Sequence, residues 1–244
     1  MSRITVRAGG TVSLVGLIMA TLVGAAPRVR AEDARVVIRL YDAARIDLPA
    51  RATATRDAAS ILGRAGVVSE WRDCSRDGAD FPCRSVRHAS DLVIRILPTS
   101  RSRPESSDSA VSAQEPSGES NLQLGFAAVD PSGRANVMAT VYRDRVLTVA
   151  RRASVDYGEL LGRAMAHEIG HLLLRLPGHG LTGLMRGIWT DAELIQNRHG
   201  DWTFTESEAL RMHSILTHTA HDERGTDETE AALPPPDSLS SGAR

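Results

Sequence analysis

Residues 156–185 read DYGELLGRAMAHEIGHLLLRLPGHGLTGLM, and the fold turns on what this stretch forms. Asp156 and Glu159 make a D-x-x-E capping pair, the signature of a helix start. Leu160, Leu161, Ala164, Met165, Ile169, Leu172 and Leu173 then recur at helical spacing and give a broad apolar face. Pro177-Gly178 cannot continue a helix, so the stop is expected near Leu174, with the chain doubling back at that pair. A helix this apolar is buried, yet it carries His167, Glu168 and His171 on adjoining positions. Buried polar groups need partners, so these three residues need one.

The spacing says which partner. Residues i and i+4 lie one turn apart on one helix face, so His167 and His171 present two imidazole nitrogens to a single ion. Glu168 is turned by about 100° from His167 and reaches a water on that ion without being a ligand. Zinc at a catalytic site takes three protein ligands and keeps one position open. His179, eight positions after His171 and just past Pro177-Gly178, is the expected third ligand. His199, His213 and Glu193 are the alternatives.

This H-E-x-x-H arrangement resembles the metzincin clan of zinc peptidases, whose pattern is H-E-x-x-H-x-x-G-x-x-H followed by a methionine turn. His167, Glu168 and His171 match directly. The resemblance implies that His179 is the third ligand, that Glu168 is the general base, and that Met185 in Gly183-Leu184-Met185 packs beneath the metal. It further implies that Leu122–Ala128 is a sheet edge able to pair with an extended substrate. The chain departs from the pattern in three places. Leu174 replaces the clan glycine, Pro177 stands where the third histidine usually falls, and Gly187 stands where some members carry a tyrosine ligand. The implied function is that of a zinc-dependent endopeptidase acting on peptide or protein substrates. An inactive metal-binding module is one alternative. A gluzincin-like peptidase with Glu193 or another downstream acid at the metal is the other.

Around this centre the elements fall in order. Arg35–Tyr41 is a β-branched run and a strand. Asp47-Leu48-Pro49 opens a helix with Ala54, Ala58, Ile61, Leu62 and Ala65 on one face and Gly66 as its stop. Val67–Arg72 and Asp91–Leu97 are further strands, giving a β-α-β start. Leu122–Val129, a turn at 130–133 and Asn136–Tyr142 read as a hairpin, while Val146–Arg152 is ambiguous between strand and helix. Shorter helices start near Thr190 and at Thr205. The expected fold is α+β: a twisted, mostly parallel sheet with an antiparallel edge strand, a long active-site helix and a C-terminal helix.

Composition sets the compartment and excludes some partners. Of 244 residues, 29 are basic, all of them arginine, against 30 acidic, for a net charge of −1. Residues 1–31 read as a signal peptide: Arg3 and Arg7, then an apolar run from Thr11 to Ala26, then Val29-Arg30-Ala31 before Glu32. Without the four arginines of that segment the chain carries 25 basic and 30 acidic residues, a charge of −5. Such a balance, with aromatics at 4%, argues against a nucleic-acid partner. The chain is expected to be exported to the periplasm or outside the cell, as a monomer, with no stable membrane span once the signal is cleaved. Cys74 and Cys83, nine positions apart, are expected to form a disulfide there; the sharper alternative makes Cys83 an inhibitory zinc ligand. The catalytic domain spans 32–217. Within it, 99–120 holds eight serines in 22 residues and reads as a disordered insertion. The acidic segment 218–244 reads as a disordered tail.

Overall fold

A computed structural model describes residues 34–75, 83, 91–98, 122–130 and 138–231. The signal peptide expected at 1–31, the serine-rich insertion at 99–120 and the tail beyond Ala231 lie outside the described residues.

β1 (Ala34–Asp42) is the sheet's centre of construction. Its side chains alternate, so Val36, Ile38 and Leu40 enter the core while Arg39 points to the opposite face. Helix α1 (Leu48–Arg64) follows; the Asp47 carboxylate accepts from the Ala50 N–H at 2.9 Å, and Pro49 sits in the first turn. Gly66, at φ 76°, ends the excursion and delivers β2 (Val67–Asp73). β3 (Asp91–Leu97), β4 (Gly125–Ala128) and β5 (Met138–Tyr142) complete a five-stranded sheet in the order β2-β1-β3-β5-β4. All neighbours are parallel except β4, which runs antiparallel to β5 with Gly125 opposite Val141. The coarse α+β class, the mostly parallel sheet and the antiparallel edge thus agree with the sequence reading.

The ambiguous stretch is a helix, α2 (Arg143–Ala153), which buries Val146, Val149, Ala150 and Ala153. Those positions follow the i, i+3, i+4, i+7 rule, which outweighs the β-branched residues among them. α3 (Tyr157–Leu174) starts on Asp156, whose carboxylate accepts from the Glu159 N–H at 2.9 Å. It packs across α1 and the sheet, and all but two of its 18 residues are buried. It ends on Arg175, in the left-handed region at φ 53°, with the Leu176 N–H donating back to the His171 carbonyl at 3.3 Å. The reversal therefore comes two residues before Pro177-Gly178, and Gly178 is not the turning residue. A capping box at Thr190 starts α4 (Asp191–Gln196); a 3-10 turn (His199–Trp202) follows.

The last helix, α5 (Glu206–Ala231), starts on the expected Thr205–Glu208 capping pair. It runs on past His218, where the tail had been expected to begin. The physical reason is that no proline interrupts the chain before Pro234, while alanine and glutamate there favour a helix. No helix among the described residues is long and apolar enough to cross a membrane.

Cys74 and Cys83 form a disulfide, with Cα atoms 5.6 Å apart, so Cys83 is not held for a metal. The bridge lies over a buried ion pair. Arg39 donates from Nε and Nη2 to Asp91 Oδ2 at 3.1 and 2.6 Å, and from Nη1 to the Cys83 carbonyl at 3.3 Å. Replacing both cysteines by serine is expected to lower stability by about 2–3 kcal/mol, from loop-closure entropy returned to the unfolded chain. Denaturant unfolding of the variant beside the oxidised wild type measures this. Equal midpoints would show that the bridge constrains nothing.

Candidate metal centre

The helix places its histidines, and the chain beyond it orients them. Their Nδ1–H groups donate to backbone carbonyls: His167 to Leu184 and His171 to Leu176, each at 2.8 Å. A carbonyl only accepts, so each Nδ1 carries the proton and each Nε2 is left a bare lone pair in the neutral ring. The two Nε2 atoms then face each other across 3.2 Å. Two bare lone pairs do not attract, and the gap between them is one that a shared cation can fill. Two nitrogens on one tetrahedral zinc, at 2.0–2.1 Å each, stand about 3.3 Å apart, which is the separation found.

His179 joins them. One ring nitrogen from each of His167, His171 and His179 lies within 4.8 Å of the others, the only such group of ligating side chains among the described residues. His167 and His171 are buried and His179 is exposed. Their ring centroids are 4.8–5.3 Å apart. The alternatives are elsewhere. Glu193 closes the α4 capping box and pairs with Arg186 at 2.8 Å, while His199 and His213 lie on the 3-10 turn and α5. The donor set fits a metal of zinc's preferences; three imidazoles also suit other late first-row ions.

Electrostatics favour the uncharged ring at the two buried histidines. Burial pushes His167 down to about 4, helped by repulsion from His171 and His179 and opposed by its bond to Leu184. Burial also lowers His171. Glu168 points into the same cavity and is only 6% exposed, and burial raises its carboxyl to about 8. A cation beside it would favour the ionised form and reverse much of that shift.

Met185 is 1% exposed and packs under α3 at Gly170, where a Cβ would lie 2.6 Å from the methionine sulfur. Gly170 is thus what lets the Leu184-Met185 strand of the loop press against the helix between its two histidines. Gly170→Ala is expected to cost about 1–3 kcal/mol by overpacking, and to weaken metal uptake by displacing the Leu184 carbonyl from His167. Thermal unfolding beside a zinc titration measures both.

The site opens on a cavity of about 430 Å³, which reaches from the histidines past buried Val149 and Ala164. β4 forms one wall and the segment Arg186–Trp189 the other. Three contributors here escaped the sequence reading. Gly125 is one, since a Cβ on it would stand 2.8 Å from Glu168 Oε1 and 2.5 Å from the Thr140 carbonyl. Only glycine lets β4 pass so close to the carboxylate. Trp189 is another; its ring stands edge-on to His167 at 5.5 Å. Arg186 is the third. None follows from local spacing, although a glycine inside a strand is a signal of close approach.

No protein-family model, curated protein or solved structure matches the chain.

Glu168 binds its proton more tightly in the folded than in the unfolded chain. Its contribution to stability is therefore full below about pH 4.5 and is lost as the pH rises through about 8. Glu168→Gln removes that loss. In metal-free protein, the Tm of the variant is expected to gain on the wild type from about pH 5 to about pH 8 and then level off. His167 and His171, shifted down, act in the opposite sense but are common to both proteins. A gap that stays constant with pH would show that Glu168 is not held in a low-dielectric site.

Proposed function

We propose that the protein is an exported zinc-dependent endopeptidase of metzincin type, with His167, His171 and His179 as ligands and Glu168 as general base. The observation that carries this is the convergence of three imidazole nitrogens within 4.8 Å beside a buried glutamate in one cavity. The sheet supports it: β4, antiparallel at the edge, pairs among the described residues only with β5, and its Gly125–Ala127 with the preceding Leu124 lines the cavity. An extended peptide can add to that edge through backbone hydrogen bonds and lay its scissile carbonyl across the histidines. Export is supported by the signal-like segment at 1–31 and by the disulfide.

Bound by three imidazoles, zinc supplies a Lewis acid and a water of lowered pKa. The chain supplies the rest. Glu168 takes a proton onto its carboxylate as water attacks the substrate carbonyl, then hands it to the leaving nitrogen. The pocket shields that carboxylate from bulk solvent, and a bound cation would keep it ionised and able to accept the proton. Gly125 keeps the substrate strand within reach of that carboxylate. His167 and His171, fixed as Nδ1–H tautomers by Leu184 and Leu176, keep both Nε2 lone pairs turned inward.

The test is hydrolysis of a quenched-peptide library by wild type and Glu168→Gln, each with its zinc content measured. The variant is expected to keep one zinc equivalent and to lose activity by about 100- to 10,000-fold. Chelation of the wild type should abolish hydrolysis and added zinc restore it. Full activity in the variant would overturn the assignment. Zinc without hydrolysis in the wild type would point to an inactive metal-binding module.

A further inference from the structure

We infer that Arg186 is a positioning residue for the metal centre, because it anchors the loop that presents His179. The inference rests on reading His167, His171 and His179 as one metal site.

The three histidines are not held alike. His167 and His171 are fixed by helix α3 and again by ring hydrogen bonds to carbonyls. His179 stands on neither helix nor strand, and among the described residues its ring makes no hydrogen bond. Metal-binding histidines ordinarily use the second ring nitrogen as an anchor. Without one, the place of His179 depends on its backbone and on what packs against the ring.

Both lead to Arg186. The Gly180 N–H donates to the Met185 carbonyl at 2.8 Å, and Gly180 and Arg186 form a parallel β-bridge that closes the loop. Gly187, next along the chain, lies flat against His179; a Cβ there would come within 3.1 Å of the ring. Arg186 thus sits between the two residues that set the ring's position.

Its side chain leaves the loop and is locked elsewhere, with 14% of its surface exposed. Nη1 pairs with Glu193 at 2.8 Å and approaches Asp201 at 3.6 Å. Its guanidinium lies 5.8 Å from the centre of the Trp202 ring. Glu193 is itself fixed, since its second oxygen accepts from the Thr190 N–H and hydroxyl at 2.8 Å each. Among the described residues Arg186 Nε and Nη2 are buried with no hydrogen-bond partner, so Nη1 carries the side chain's polar anchoring there. The loop's other anchors, the Leu184 N–H on the Thr203 carbonyl at 2.8 Å and buried Met185, do not involve Arg186. Removing the guanidinium should therefore free His179 and leave His167 in place.

The experiment is a zinc titration of the metal-free full chain against a competing chelator, for wild type, Arg186→Met, His179→Ala and the double variant. Cobalt absorption spectra and far-UV circular dichroism accompany it. Arg186→Met is expected to weaken zinc binding by about 10- to 100-fold and to shift the cobalt spectrum toward that of His179→Ala. On the His179→Ala background it should change nothing further. Wild-type affinity in Arg186→Met, or an equal loss on the His179→Ala background, would overturn the inference. If Arg186→Met fails to fold, Glu193→Gln with Asp201→Asn carries the test: those changes keep the arginine but remove its anchors, and the same loss and the same dependence on His179 are expected. If the wild type itself takes up no zinc, the proposed function fails and this inference with it.

Discussion

Two hydrogen bonds, from His167 Nδ1 to the Leu184 carbonyl and from His171 Nδ1 to the Leu176 carbonyl, decide what the rest of the molecule can do. They fix the tautomers, so the free lone pairs point at each other rather than at the solvent. They also fix the route of the chain, because both carbonyls belong to the segment that leaves α3 and returns beneath it. Were Leu176 to continue the helix, its carbonyl would lie along the axis and His171 would lose its acceptor. The left-handed Arg175 prevents that. It falls one residue after Leu174, the position where the metzincin pattern carries glycine, so the departure in sequence leaves a helix end that still turns.

That return path is held by close packing rather than by secondary structure. Gly170 admits Met185 and Phe204 to within contact of the helix backbone, and Leu184 bonds to both His167 and Thr203. On the other side, Gly125 admits β4 to the Glu168 carboxylate. The cavity exists because two chain segments approach α3 where it lacks side chains, or where a strand lacks one, and stay apart at Trp189. A sheet edge, a buried acid and three imidazoles share one space for this reason.

Much of this was legible in the sequence, and the limits have physical causes. Helix α3 was legible because capping, period and polar residues agreed over 18 positions. His179 was legible from the ligand count of zinc and its distance past the helix stop. β1, α1 and β2 were legible from pattern, and the antiparallel pairing of β4 with β5 from the two strand-like runs; the turn expected at 130–133 lies, from 131 on, outside the described residues. The reversal was misplaced at Pro177-Gly178 because an arginine in a left-handed conformation leaves no trace in composition. α2 was obscured because valine and threonine suit a strand locally while their spacing suits a helix. The end of α5 was missed because acidic composition was read as a lack of structure. Arg186, Trp189 and Gly125 were invisible for a different reason: their roles depend on tertiary neighbours far along the chain, such as Asp201, His167 and Thr140.

The site also bears on why the chain folds. Burying Glu168 and setting three imidazoles together both cost stability, since each disfavours its charged form and the rings repel one another when charged. Among the described residues no side chain pairs with Glu168 or lies between the histidines. The disulfide and the buried Arg39–Asp91 pair hold the sheet on the face away from α3. A cation at the site would remove the repulsion and favour the glutamate's ionised form at once. Metal binding would then be linked to the stability of α3 and of the loop beneath it, because these hold the ligands and the unfolded chain holds none of them in place. On this argument the centre is costly to keep empty, and a fold that needed no ion would gain by replacing His167, Glu168 and His171 with apolar residues of similar size.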